Sequence, residues 1–137
     1  MKKLKSLFLI IFLLGFSLPT LAYTEEFCNE VLLETAQELN RQCPMEFELD
    51  TSVSKVTYEN KSLKIYFVLG VVNANEYDEM AEELKDAFLN SFIDGEDGEL
   101  FVEIFECAGA QIELLFDLND GSRKKMTVKA NQLKQYL

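Results

Sequence analysis

The sequence contains no histidine and no tryptophan among its 137 residues. The missing histidine removes the commonest general base and the commonest transition-metal ligand of proteins. Any catalysis would therefore depend on carboxylates, thiols, hydroxyls or amines. No such group is singled out by its spacing, so we assign no catalytic, metal-binding or cofactor-binding residue and expect no cofactor.

Long apolar runs are scarce as well, and the only one lies near the amino terminus. Three lysines within the first five residues precede the apolar run Ser6–Leu18, and Pro19 then leads to small residues ending at Ala22. This order is typical of an export signal, and a run of 13 residues is shorter than the roughly 20 needed to span a bilayer. We predict a signal peptide at 1–22 and a single exported domain at 23–137, periplasmic or secreted, with no membrane span after cleavage.

Basic residues are outnumbered: 13 lysines and arginines face 24 acidic residues, for a net charge of −11. The predicted signal peptide holds three of the basic residues and no acidic one, so the mature chain would carry −14. A surface this acidic repels nucleic acids and anionic lipid heads. It would suit a protein partner with a basic surface, although solubility alone explains many acidic exported domains. We expect no nucleic acid partner.

The first half of the mature chain predicts a helix followed by a hairpin. Thr24 is a good amino-terminal cap, and Pro44 predicts that the helix stops near Gln42. An alternating segment from Met45 to Leu49 follows. Two β-rich runs, 53–58 and 63–69, then flank a turn at 59–62.

The second half predicts two helices and a second hairpin. Apolar residues at helical spacing predict a helix over 75–92, with a stripe made of Tyr77, Met80, Ala81, Leu84, Ala87, Phe88, Ser91 and Phe92 and with acidic residues mainly on the other side. Segment 99–107 is ambiguous between helix and strand. A short helix is favoured, because Gly109 is well placed just after a helix end. Strands at 111–118 and 123–129 flank a turn containing Asp120 and Gly121.

The element order is therefore helix, hairpin, helix, short helix, hairpin. Strands joined by turns favour antiparallel pairing. The amphipathic helices must bury their apolar faces, which they can do against one face of that sheet. The predicted fold class is α+β, with an antiparallel sheet of about four strands and helices on one face.

Three cysteines in an exported chain favour one disulfide and one free thiol. Cys28 and Cys43 lie near opposite ends of the first helix, roughly 20 Å apart, which is too far for a bond. A bridge would then join Cys107 to Cys43 or to Cys28. We favour Cys43, because it lies in a turn and not within a helix, and three free thiols remain the alternative.

Two charged segments are candidate sites. The acids of Asp94–Glu99 fail the spacing of an EF-hand calcium loop, which favours a solvated turn. Lys124, Lys125 and Lys129 form the only basic cluster of the mature chain. They could protect a sheet edge or pair with the acidic surface.

Two segments carry a family resemblance. Asn40 to Met45 reads NRQCPM and is followed by Asp50 and Thr51, and Leu100 to Gly121 holds a short helix, an Ala-Gly-Ala turn, a strand and an Asp-Gly turn. This resembles small exported bacterial proteins of unassigned function, whose first helix ends in N-x-x-C/L-P-M. Their second cysteine tends to precede the short helix, whereas Cys107 ends it here. The resemblance implies no catalytic residue and no known activity.

These observations favour an exported, non-enzymatic binding or interaction domain of unknown partner. A sheet with helices on one side leaves its other face, or an edge, for that partner. The alternatives are a small carboxylate-dependent hydrolase, or an inhibitor of a basic enzyme such as a lysozyme.

Overall fold

The structure is a computed structural model that describes residues 24–47, 50–93 and 97–137. Three sequence predictions fall outside these residues: the signal peptide at 1–22, the contribution of Leu49 to the alternating segment, and the first half of the acidic segment 94–99.

The described residues form four α-helices and one sheet of five strands. The predicted helices and hairpins occur in the predicted order, and a short helix that was not predicted follows the last strand. The helices are α1 Glu25–Arg41, α2 Ala74–Ile93, α3 Gly98–Ala108 and α4 Ala130–Leu133, the last continued by a 3-10 turn at Lys134–Tyr136. The strands are β1 Met45–Phe47, β2 Thr51–Glu59, β3 Ser62–Leu69, β4 Gln111–Leu118 and β5 Arg123–Lys129. The predicted α+β class is confirmed.

The strands are arranged in chain order from β1 to β5, and every neighbouring pair is antiparallel except β3 and β4. The parallel pair arises because α2 and α3 both lie between these two strands and return the chain to the end of the sheet where β3 began. There the amide of Gln111 donates to the carbonyl of Lys61 over 3.0 Å. The sheet thus has one strand more than the four expected, and one parallel pair.

The helix ends follow the sequence signals. The Thr24 hydroxyl accepts a hydrogen bond from the Phe27 amide at 3.1 Å, and α1 ends at Arg41 as predicted. Segment 98–108 is a helix, and Gly109 closes it in the left-handed region with φ of 65°. This resolves the ambiguity between helix and strand in favour of the predicted helix.

The amino terminus of α2 carries a capping box that the sequence prediction overlooked. The Asn73 side chain accepts from the Glu76 amide at 2.9 Å, and the Glu76 carboxylate accepts from the Asn73 amide at 3.3 Å. These two bonds fix the helix start at Ala74, one residue before the predicted Asn75.

The buried face of α2 is rotated from the predicted stripe in its second half. Leu89 is fully buried although it was not assigned to the stripe, and Ala87 is exposed although it was. The Phe92 side chain lies outside the described part of the structure. The acidic residues of the helix are exposed as predicted, namely Glu76, Asp78, Glu79, Glu82, Glu83 and Asp86.

One face of the sheet forms the core with the helices. The Phe67 ring of β3 stacks on Phe116 of β4 with ring centroids 5.1 Å apart, and it meets Phe88 of α2 edge-on at 5.5 Å. Tyr77 of α2 packs on Phe116 at 5.3 Å. The helices therefore cover a single face of the sheet. None of the helices in the described ranges is long and apolar enough to cross a membrane.

Candidate interaction surface

The two faces of the sheet differ in what covers them. In β3, Ile65 and Phe67 are buried under the helices, whereas Lys64, Tyr66 and Val68 alternate with them and stay partly exposed. The same alternation runs through the neighbouring strands. We call the uncovered side the open face, and it carries Glu46, Ser52, Lys55, Thr57, Glu59, Lys64, Tyr66, Val68, Glu113, Leu115, Asp117, Arg123, Lys125, Thr127 and Lys129.

Strand register decides which side chains of the open face are neighbours. Tyr66 lies between Lys55 of β2 and Leu115 of β4, and Leu115 is paired in turn with Lys125 of β5. One row across four strands therefore places a tyrosine and a leucine between two lysines.

Two cations lie over the Tyr66 ring. The Lys55 ammonium is 5.4 Å from the ring centroid and the Arg123 guanidinium carbon is 5.7 Å from it. Both distances are within cation–π range. Arg123 also donates two hydrogen bonds to Asp117, at 2.6 and 3.2 Å. These hydrogen bonds and the charge of Asp117 raise the pKa of Arg123 above its ordinary value.

Glu113 is the buried carboxylate of the open face, only 8% exposed. Its oxygens are 3.3 Å from the Lys125 ammonium and 4.0 Å from that of Lys64. Burial favours a raised pKa for Glu113, but hydrogen bonds from Ser62 and Lys125 and the charges of both lysines outweigh it and lower the pKa. Glu113 is therefore ionised, and Lys64 and Lys125 neutralise its charge.

Charge is distributed unevenly between the two sides of the molecule. The open face carries five basic and four acidic side chains, a net charge of +1, whereas residues 23–137 together carry −14. Half of the ten basic residues after position 22 thus lie on this face. The helix side holds most of the acids.

The basic cluster singled out in the sequence is divided between the two faces. Lys124 points to the helix side and pairs with Asp78 of α2 at 3.4 Å, whereas Lys125 pairs with Glu113. Because β5 is also an edge strand, both sequence hypotheses hold: these lysines lie at a sheet edge, and two of them pair with acids.

The disulfide joins Cys28 to Cys107, with Cα atoms 6.1 Å apart, and not Cys43 to Cys107 as the sequence argument favoured. The prediction failed because α3 packs along α1, which brings the last turn of α3 to Cys28. Cys43 is displaced by the length of α1 and stays free, with its thiol donating to the Leu39 carbonyl at 3.4 Å. Partial burial raises the pKa of the Cys43 thiol.

The carboxyl groups with shifted pKa values do not favour a hydrolase. The pKa values of Glu25, Glu113 and Asp120 are all lowered, whereas a general acid of the glycosidase type needs a raised one. Within the described ranges, no cluster of three or more cysteine and acidic residues is arranged to hold a metal ion.

Sequence reasoning predicted an uncovered sheet face but did not name its central residues. The alternation of Lys64, Tyr66 and Val68 with buried neighbours was a usable signal. The contact between Tyr66 and Arg123 had no such signal in the sequence, because it depends on the parallel register of β3 and β4.

No protein-family model matches the chain, and no curated protein sequence matches it. Solved structures do share its fold. A Pseudomonas aeruginosa protein provisionally described as secreted matches with a TM-score of 0.63 and 14% identity, covering 82% of this chain and 98% of that one.

Two pilotins also share the fold. The Vibrio vulnificus type 2 secretion system pilotin EpsS matches with a TM-score of 0.60 and 12% identity, over 80% of this chain and 94% of EpsS. The Vibrio cholerae type II secretion system pilotin AspS matches with a TM-score of 0.60 and 14% identity, over 79% of this chain and 94% of AspS. At these identities the likeness is one of fold.

Proposed function

We propose that this protein is an exported, non-enzymatic interaction domain that binds a protein partner through the open face of its sheet. The observation that carries the proposal is the contrast between the two faces. One face is covered by the protein's own helices, and the other presents Tyr66 between two cations next to Leu115. A tyrosine flanked by guanidinium and ammonium groups is the kind of centre on which protein interfaces depend.

The likeness to solved structures supports an accessory role in export. Two of the structures with this fold are pilotins of type 2 secretion systems, and a third is provisionally described as a secreted protein. The signal-like amino terminus and the disulfide agree with an oxidising location outside the cytoplasm. We propose that the protein works with the export apparatus of its cell.

A basic partner on the helix side is the second candidate. It is favoured by the exposed carboxylates of α2, including Glu79 and Glu83. An inhibitor of a basic enzyme such as a lysozyme would use that side.

Site-specific photocrosslinking in the host cell separates the two candidates. A photoreactive residue replaces Thr127, exposed on the open face, and in a matched strain it replaces Glu83, exposed on α2. We expect a defined protein adduct from position 127 and none from position 83. An adduct from position 83 alone would place the interface on the helix side, and no adduct from either position would contradict a binding function.

A further inference from the structure

We propose that the segment bound by the open face is an acidic, amphipathic stretch of a protein. Its carboxylates would meet Lys55, Arg123 and Lys125, and an apolar side chain would pack on Tyr66 and Leu115. This inference rests on the proposed function, because it specifies the chemistry of the partner at the same surface.

Lys55 supplies a positive charge that the protein does not neutralise. Its ammonium group lies over the Tyr66 ring, and it forms no ion pair with a carboxylate of the described residues. The side chain is exposed, so an incoming carboxylate can reach it without displacing an internal partner. A carboxylate bound there also reduces the repulsion between Lys55 and Arg123, which share the ring.

Arg123 and Lys125 each form an ion pair with an acidic residue of the protein and still have N–H groups that can donate hydrogen bonds to a partner. Their side chains remain 55% and 57% exposed although they pair with Asp117 and Glu113. A guanidinium has five N–H donors and an ammonium has three, so neither group is saturated by one carboxylate. Two cations are thus available over the Tyr66 ring, and a third, Lys125, lies beside Leu115.

The centre of the same surface is apolar. Tyr66, Val68 and Leu115 are all partly exposed, and Tyr66 and Leu115 are direct neighbours in the sheet. Neighbouring strands are about 4.8 Å apart, so one leucine-sized side chain could contact both. A partner with charge alone would leave this centre unused.

The charge of the whole protein argues for a short protein segment and against a large polyanion. Residues 23–137 carry −14, which repels nucleic acid or an anionic bilayer as the body of the protein approaches. Salt screens this repulsion beyond about 8 Å at physiological ionic strength, so a short segment can lie on the open face and experience mainly its local charge.

Two fluorescein-labelled peptides test this inference with the purified exported protein. The first repeats Glu-Leu-Leu-Glu three times, and the second has the same length with every glutamate replaced by lysine. We expect the acidic peptide to bind about tenfold more tightly than the basic one, as measured by fluorescence anisotropy, and its affinity to fall as NaCl is raised.

Substitutions identify the surface. Lys55→Glu and Tyr66→Ala should each lower the affinity for the acidic peptide by about tenfold. Lys85→Glu is the matched control, because it makes the same charge change on α2, on the other side of the sheet. That variant should bind as the wild type does.

Several outcomes overturn the inference. They are equal binding of the two peptides, no binding of either peptide, an equal loss of affinity in Lys85→Glu, and binding of anionic vesicles or DNA as tight as that of the acidic peptide. The two proposals fail separately. A crosslink from position 127 without discrimination between the peptides refutes only the acidic partner. No crosslink from position 127 refutes binding through the open face, and no crosslink from either position refutes the binding function.

Discussion

The Asp120 carboxylate accepts a hydrogen bond from the backbone amide of Ala74 at 3.0 Å. The turn of the last hairpin therefore caps the amino terminus of α2 from 46 residues away. The other carboxylate oxygen accepts from the Ser122 amide at 3.0 Å and from its hydroxyl. These hydrogen bonds, with those from Ser122 the largest contribution, lower the pKa of Asp120 to about 2. One ionised side chain thus stabilises a tight turn and a helix end together.

Asp120→Asn should destabilise the protein at neutral pH and reduce its sensitivity to acid. Because the folded pKa lies below the ordinary value of 3.8, the ionised group stabilises the native state above about pH 4. That contribution is lost as the pH falls from about 4 towards about 2. Urea midpoints at pH 7 and pH 3 should therefore converge in the variant relative to the wild type.

Ser122→Ala is the control for this prediction. It removes one donor to Asp120 and leaves the Ala74 amide in place. NMR titration followed at the side-chain carboxyl carbon should find the Asp120 pKa raised only part of the way to its ordinary value. An unshifted Asp120 pKa in the wild type would contradict the capping role.

The hairpin turn was predictable, but the helix cap was not. Asp120 and Gly121 form a local turn signal, and Gly121 has φ of 84° as such a turn requires. The contact with Ala74 depends on tertiary packing, which no local pattern encodes. By contrast, Asn73 and Glu76 formed a readable capping box in the sequence and were overlooked.

Loss of the Cys28–Cys107 disulfide should cost more than loss of Cys43. The two bonded cysteines are 79 residues apart, and the chain-entropy model gives about 4.5 kcal/mol of stabilisation for a loop of that size. Cys107→Ser should lower the free energy of unfolding by about that amount, while Cys43→Ser should stay within about 1 kcal/mol. Urea melts measure both changes.

Peptide mapping without reductant checks the connectivity itself. A peptide containing Cys28 should remain joined to one containing Cys107, and Cys43 should be alkylated. Recovery of a Cys43–Cys107 peptide would contradict the structure and restore the sequence-based pairing.

Leu89→Ala should be the most damaging of three substitutions on α2. Leu89 is completely buried, so its truncation should cost about 2–5 kcal/mol. Leu84 is only partly buried, so Leu84→Ala should lower the free energy of unfolding by less. Glu83→Gln, on the exposed side, should stay within about 0.5 kcal/mol. Urea midpoints should rank the three in this order, and a silent Leu89→Ala would mean that the helix is rotated differently.

The sequence predicted the elements better than it predicted their contacts. Local periodicity was sufficient for the helix at 75–92 and for both hairpins, because each pattern arises within its own segment. The pairing of β3 with β4 was missed, since 41 residues separate Leu69 from Gln111 and neither strand's pattern encodes its distant neighbour. The disulfide error has the same origin, because it depended on how α3 lies against α1.

Glu113→Gln should destabilise the protein and make the open face more positive. The substitution removes the charge that Lys64 and Lys125 share and leaves the two lysines to repel each other. Because Glu113 is buried but both lysines are partly exposed, we expect a loss of about 1–3 kcal/mol.

The pH dependence of the wild-type free energy of unfolding should also contain a contribution from Glu113. The lowered pKa of Glu113 means that its stabilising contribution is present above the ordinary glutamate pKa of 4.5 and is lost as the pH falls below it. Glu113→Gln should lack that part of the acid sensitivity. A double-mutant cycle with Lys125→Met, measured at pH 7, isolates the pair.

The same variant separates stability from binding at the open face. Removing one negative charge beside Lys125 should tighten the acidic peptide while the free energy of unfolding falls, so the two quantities should move in opposite directions. If the peptide weakened together with stability, the variant would have distorted the sheet. If neither changed, Glu113 would not be the counterion of Lys64 and Lys125 in solution.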